Sequence, residues 1–354
     1  MKLSGIPTSS IFDRLNILTK GFNSDIIKLQ TESITGQSSD YGLKLGSRVT
    51  GILEIEQEKS HIAAMLNDNA LVKKRLSASQ INLGSMGDIV EDLLQKIMFI
   101  QDNSEEIIID QVYNEVQVSF KSFMSFANMK DEGRYLFSGI NISKKPLNDY
   151  FSKDSLAKKS FDQMLKKFLE DNSKLSGQKL EVSSMTSQHM NDFLKQLEDK
   201  FSDDEYWLKN WSNSSNQNIN YRLQDVENID VSVNVNTKGI RDFMLFSVIG
   251  TEFLNKNMTE SARKVVNQKM ISTIGKGLLD INHQRASLGI SEKRIDKENV
   301  FLQGKSNIIE VLFSKSVGID GYKVSTQLSE LMSKIDMSYM ITSKLQKLSL
   351  LNYL

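Results

Sequence analysis

Six apolar residues, Ile274, Ile281, Leu288, Ile295, Leu302 and Ile309, recur every seven positions without a miss. Strand side chains alternate with period two, so a strict repeat of seven carries little meaning there. On a helix it draws one narrow seam down one side. The half-heptad row is mixed: Leu278 and Phe313 are apolar, whereas Arg285, Glu292, Asn299 and Ser306 are polar. A second seam runs through Val72, Leu76, Ser79, Leu83, Met86, Val90, Leu93, Ile97 and Ile100, alternately four and three residues apart, with Ser79 its polar member. Held over about four heptads, that spacing predicts coiled-coil-like packing. The chain has two prolines, Pro7 and Pro146, so no proline interrupts either seam. Gly84, Gly87, Gly275 and Gly277 lie inside these helical patterns, which predicts close helix–helix approach there.

Both ends of the sequence are apolar and helical. A first helix is predicted from the Thr8-Ser9-Ser10 cluster to a turn at Gly36, with Leu15, Leu18, Phe22, Ile26 and Leu29 as its stripe. A second starts after Leu45. Asp102-Asn103-Ser104 can cap a third, whose face is Val112, Val116, Phe120, Phe123 and Ala127 and whose end is near Gly133. After the break at Gly318 to Gly321 a last helix carries Val324, Leu328, Leu331 and Ile335. Its stripe is then expected to shift to Met337, Ile341, Leu345 and Leu348, and Leu350, Leu351 and Leu354 stay apolar to the last residue. Such a helix needs something to bury it.

Between about Ile140 and Asn236 the character changes. This stretch holds Pro146, a turn at Gly177 and a polar run from Ser212 to Asn218. Short helical patterns such as Phe161, Leu165, Phe168 and Leu169 recur, and Trp207 and Trp211, with Tyr206, are expected to anchor its core. Val231, Val233 and Val235 alternate with Ser232, Asn234 and Asn236, the signature of a half-buried strand. The fold class expected is mainly α: a long antiparallel coiled-coil-like helical rod formed by the N- and C-terminal halves, with a small mixed α/β domain inserted. The domains are terminal helices 1–45 and 318–354, a rod of 46–139 and 237–317, and an inserted outer domain of 140–236.

Composition excludes much chemistry. Without cysteine there is no disulfide, thiolate metal site or cysteine nucleophile. His61, His189 and His283 are each isolated, without the spacing of metal ligands, and Asp203-Asp204-Glu205 reads as the acidic start of a helix. No phosphate-cradling glycine loop is present. Lysine plus arginine equals aspartate plus glutamate at 44 each, so no global field recruits nucleic acid. No stretch is apolar for the ~18 residues of a membrane span, and Met1 to Pro7 does not form a secretory signal. The expectation is a protein with no catalytic residues, no cofactor, no metal and no membrane insertion.

Four stretches, in order, resemble one family. Gly133-Arg134-Tyr135-Leu136-Phe137-Ser138-Gly139 resembles the G-R-Y-L-F-S/A-G segment of flagellar hook–filament junction proteins, the hook-associated protein 3 family. Arg285-Ala286-Ser287-Leu288-Gly289 is similar to the R-A-x-L-G segment of the flagellin superfamily. Leu29 to Gly36 resembles the segment that follows the superfamily's first helix, and Leu348 to Leu354 its S-L-L-x-x-L ending. Where the family often has Asp-Pro after that helix, Asp40 is followed by Tyr41; Asp40-Tyr41-Gly42-Leu43 and Trp211-Ser212-Asn213 are similar to the alphaproteobacterial branch.

The resemblance implies a structural subunit of the bacterial flagellum. A ring of copies would join the hook, through another hook-associated protein, to flagellin. The subunit would leave the cell unfolded, without a cleaved signal peptide, through the flagellar type III export apparatus, with an export chaperone on its C-terminal stripe. Its terminal helices would stay disordered until assembly. The alternatives are a flagellin filament subunit and an intracellular coiled-coil adaptor or chaperone.

Overall fold

The computed structural model describes residues 8–40, 49–102, 105–176, 178–223 and 227–351. Met1 to Pro7, Tyr41 to Leu43, Leu45, Asn103, Ser104, Gly177 and Leu354, all named above, lie outside the described residues. The α-helices are α1 (Thr8–Thr35), α2 (Val49–Asp102), α3 (Glu106–Ala127), α4 (Leu156–Ser176), α5 (Ser187–Ser202), α6 (Asp204–Asn210), α7 (Lys238–Phe253), α8 (Glu260–Val317) and α9 (Gly321–Leu351). Two antiparallel hairpins complete the fold: β1 (Lys130–Asp131) with β2 (Arg134–Tyr135), and β3 (Asn220–Leu223) with β4 (Glu227–Asp230). The chain is mainly α, with a small α/β insert. It divides into a central unit, Asn67–Asn299, and a terminal unit, Met1–Leu66 with Val300–Leu354.

In the central unit α2 and α8 run antiparallel. Every seam residue from Leu76 to Ile100 is buried, Ser79 included, and Val72 packs against the same core. Opposite them Ile274, Ile281, Leu288 and Ile295 are equally buried. The polar half-heptad row has a physical cause, because its members bond across the seam. Asn69 Nδ2 donates to Asn299 Oδ1 at 2.8 Å and Gln80 Nε2 to Glu292 Oε2 at 2.9 Å. Asn69 is 1% exposed, and its Oδ1 also accepts from the Tyr221 hydroxyl on β3 at 2.7 Å. A buried amide with both ends engaged resists slippage, since any other register strands it.

The glycines divide by neighbour. At Gly277 an added Cβ would lie 3.2 Å from the Gly239 carbonyl oxygen, so α7 and α8 cross almost backbone to backbone. At Gly84 an added Cβ would lie 3.4 Å from the Arg285 guanidinium, and at Gly87 3.9 Å from Arg285, Asn282 and Ile281 alike, ordinary contact distances. Nothing approaches Gly275, so close approach is not its reason.

Helix α3 buries the predicted face, but it ends at Ala127, and its N-cap is Glu105 rather than the Asp102 to Ser104 group. The chain then turns through Glu132 (φ 48°) and Gly133 (φ 80°), a two-residue hairpin turn with both centres left-handed. Beyond it Leu136 and Phe137 are buried. Gly139 (φ 60°) leaves no room: an added Cβ would sit 2.4 Å from the Gln217 carbonyl oxygen. Helix α7 is buried on nearly every side, with Phe123 of α3 stacked on Phe243 at 3.9 Å between ring centroids.

The insert's aromatic core is as expected at the tryptophans. Trp207 stacks on Trp211 (5.7 Å) and Trp211 on Tyr150 (5.4 Å). The expected strand at Val231 to Asn236 does not form. Valines and polar residues alike are buried there, and the segment threads between other chains of backbone. Val231 N donates to Ile219 O and Val235 N to Phe137 O. The polar face is covered by the Ser212 to Asn218 run. Asn236 Oδ1 accepts from Trp207 Nε1 (2.8 Å) and Ser212 Oγ (2.6 Å), and its Nδ2 donates to Asn216 Oδ1 (2.6 Å).

Two outcomes follow from this packing. Asn236→Ala strands the indole N–H and the Asn216 oxygen and is expected to destabilise the central unit by roughly 2–4 kcal/mol; thermal unfolding within ~0.5 kcal/mol of the parent would contradict the hub. Gly139→Ala is expected to cost several times more than Gly133→Ala. Gly133 has open space around it and pays only the left-handed backbone penalty of about 1–2 kcal/mol. Equal shifts in Tm for the two variants would show that the crowding at Gly139 is not real.

Candidate assembly interface

In the terminal unit α1 and α9 form an antiparallel pair. Facing α9, helix α1 presents Leu15, Thr19, Phe22, Ile26 and Leu29, each half-buried, spaced four and three apart. Helix α9 answers with Val324, Leu328, Leu331, Ile335, Ser338, Thr342 and Leu345 at the same alternation. This is a heptad seam with polar inlays: the Thr19 and Ser338 hydroxyls meet at 3.0 Å. The C-terminal stripe therefore does not shift after Ile335, because it continues through Ser338 and Thr342.

Leu18 and Ile341, both expected on the stripe, stand beside the seam, 52% and 47% exposed. They belong to a second, outward set that includes Ile17, Ile27 and Ile34 on α1 and Met332, Met337, Tyr339 and Met340 on α9. The structure thus divides the expected interface residues. Leu15, Phe22, Ile26, Leu29, Leu328, Leu331, Ile335 and Leu345 hold the pair together, while Leu18 and Ile341 face away from it. Leu348, Leu350 and Leu351 fall in the last turns of α9.

The seam is thin. Among its hydrophobic members only Val324 and Ile335 fall below a tenth exposed. A large apolar side chain contributes about 1.5–3 kcal/mol only when fully buried, whereas fixing each residue's backbone costs about 1–2 kcal/mol. The outward residues, meanwhile, leave large apolar side chains exposed on both helices.

The breaks at the two inner ends of the hairpin clasp each other. Ser38 N donates to Val317 O (3.0 Å) and Ile319 N to Gly36 O (3.2 Å), with Gly36 at φ 70°. The Glu32 carboxylate, 3% exposed, accepts from Ser39 N and Ser39 Oγ, both at 3.0 Å. Asp320 Oδ1 caps α9 by accepting from Tyr322 N (3.0 Å) and Lys323 N (3.2 Å). Sequence reading missed this clasp; a glutamate four residues before Gly36, followed by two serines, was its only local sign. Also in this unit Ile62, Leu302 and Ile309 form a small cluster, flanked by ion pairs of Lys305 with Glu58 and of Lys59 with Glu310 (3.5 Å).

The motif residues at Gly133 to Gly139 and Arg285 to Gly289 lie in the central unit. Arg75 of α2 donates to the Tyr135 and Leu136 carbonyls at 2.9 and 3.2 Å, and Lys130 lies over the Tyr135 ring at 4.6 Å. Arg134 is exposed at the start of β2. Arg285 covers Gly84 and Gly87, Leu288 is in the seam, and Gly289 touches Gln80. Among the described residues no group of three or more metal-ligating side chains converges, and no helix is long and apolar enough to cross a membrane.

Residues 271–354 match the family model of the bacterial flagellin C-terminal helical region. No curated protein sequence matches the chain. A solved protein from Vibrio parahaemolyticus, assigned as a flagellar hook-associated protein, is similar at 12% identity over 77% of this chain and 99% of its own, with a TM-score of 0.52. FlgL of Bacillus cereus is similar at 11% identity over 74% and 98% of the two chains, with a TM-score of 0.47. The similarity in sequence is thus to the flagellin C-terminal helical region, over the last two helices, and the fold over most of the chain is like that of the Vibrio parahaemolyticus protein.

Proposed function

We propose that this chain is a structural junction subunit of the bacterial flagellum, a ring of copies linking the hook to the flagellin filament. The observation that carries the reading is the terminal pair: a thin seam between α1 and α9 with a second apolar set left facing outward. Such a pair is marginal in an isolated molecule and gains its order when neighbours cover the outward residues. The partners would be like subunits, a hook-side hook-associated protein on one side and flagellin on the other. The same apolar ends suit an export chaperone and passage through the flagellar type III export apparatus, which would place the subunit outside the cell. The segments 1–45 and 318–354 would serve as assembly helices, 46–139 and 237–317 as the rod, and 140–236 as the outer domain. Leu350, Leu351 and Leu354 would join the interface with Leu18 and Ile341. The role is mechanical, without catalysis.

Deleting Leu350 to Leu354 is expected to leave the central unit's unfolding unchanged and to abolish incorporation at the hook tip. Electron microscopy of a strain carrying the truncated chain should show hooks without filaments and flagellin in the medium. Normal filaments would overturn the reading. Purified protein added to flagellin seeds should not elongate them; elongation would instead identify a filament subunit.

A further inference from the structure

A group of charged side chains gathers where the insert's α5 meets α7 and α8. Asp242 lies on the second turn of α7, beside the place where Gly239 and Gly277 bring α7 and α8 nearly into backbone contact; a Cβ on Gly277 would stand 3.6 Å from the Asp242 Cβ. Its Oδ2 is buried and accepts no hydrogen bond. Every other carboxylate around it is engaged. Glu198 of α5 pairs with Lys269 (2.5 Å) and Lys276 (3.5 Å) of α8. Asp280 of α8 accepts from Gly239 N at 2.7 Å. Asp204 of α6 pairs with Arg241 of α7 at 2.5 Å. Lys238 of α7 completes the set. Glu198, Lys238, Arg241 and Asp242 line one cavity of about 320 Å³ together with Asn236 and Phe201.

We propose that Asp242 is a proton-operated latch between the insert and the helices beneath it: protonated, it packs as a neutral group and tightens the α5–α7–α8 crossing, and ionised, it leaves a charged oxygen buried without a hydrogen-bond donor, which loosens it. A buried carboxylate without a donor is costly when charged and inexpensive when neutral. Burial pushes the Asp242 carboxyl up to about 6; Lys238 and Lys276 pull it down, and Glu198 and Asp280 push it up. Glu198 behaves oppositely. Burial raises it, but its bonds to Lys269 and Lys276 hold it below the ordinary carboxylate value. The sign follows from linkage. A carboxyl raised in the folded state contributes stability that is complete below its unfolded value near 4 and is lost as pH rises through about 6. Glu198, being lowered, gives the reverse slope only in more acid solution, below the window from pH 5 to 7.5.

The test is thermal unfolding of the full chain between pH 5 and 7.5, beside Asp242→Asn and the control Asp171→Asn. The parent and the control should gain roughly 5 °C in Tm as pH falls across this window. Asp242→Asn should be flat and more stable than the parent at pH 7.5. Amide exchange in α5, corrected for intrinsic rates, should slow in the parent at the acid end and not in the variant. Should Asp242→Asn fail to fold, Lys276→Met serves, because losing that cation should move the midpoint to higher pH. A parent slope that survives in Asp242→Asn, or a midpoint unmoved by Lys276→Met, overturns the latch.

Discussion

Burial of a seam one residue wide between antiparallel helices is the interaction on which the rest of this molecule depends. In the central unit that seam is deep, because α3 and α7 close over α2 and α8 and bring Phe120, Phe123, Phe243 and Phe246 into the same core. In the terminal unit the α1–α9 pair has no third layer among the described residues, and its seam stays half-exposed. One spacing rule thus yields two very different stabilities. The difference lies in how many elements share each seam rather than in helix propensity, which contributes only tenths of a kcal/mol per residue.

Polar inlays give these seams their specificity. An all-apolar heptad can slide by seven residues and remain buried. Asn69 with Asn299 and Gln80 with Glu292 make one register of α2 and α8 preferable, and Thr19 with Ser338 does the same for α1 and α9. The insert uses a related device, with Asn236 joining Trp207, Ser212 and Asn216 so that a stretch without regular secondary structure can be buried without orphaned amides.

The strongly periodic parts of the fold were legible in the sequence. Leu76 to Ile100 and Ile274 to Ile309 lie where the heptads put them, and only a helix can satisfy such spacing. The exceptions share a cause, namely tertiary partners that a local pattern cannot reveal. Thr19, Ser338 and Thr342 occupy seam positions, so a search for apolar residues drifts to Leu18, Met337 and Ile341 next to them. Val231 to Asn236 alternates like a half-buried strand, yet its polar side is sealed by residues some twenty positions earlier. Gly133 and Gly139 stand out as motif residues, but their different demands, a turn at one and a crowded carbonyl at the other, emerge only in three dimensions. Of the candidate interface, the sequence displayed which helices are apolar, and the structure separates the residues that pair internally from those that are exposed.

The most direct measurement of this account is amide hydrogen exchange on the isolated full-length chain, followed by the same measurement on the assembled polymer. Amides of α1 and α9 should exchange within seconds in the free molecule while those of α2, α7 and α8 in the Asn67–Asn299 unit stay protected, and α1 and α9 should become protected on assembly. Terminal helices as protected in the free chain as the central seam would show that the α1–α9 pair is complete by itself, and the claim that neighbours supply its missing burial would fail.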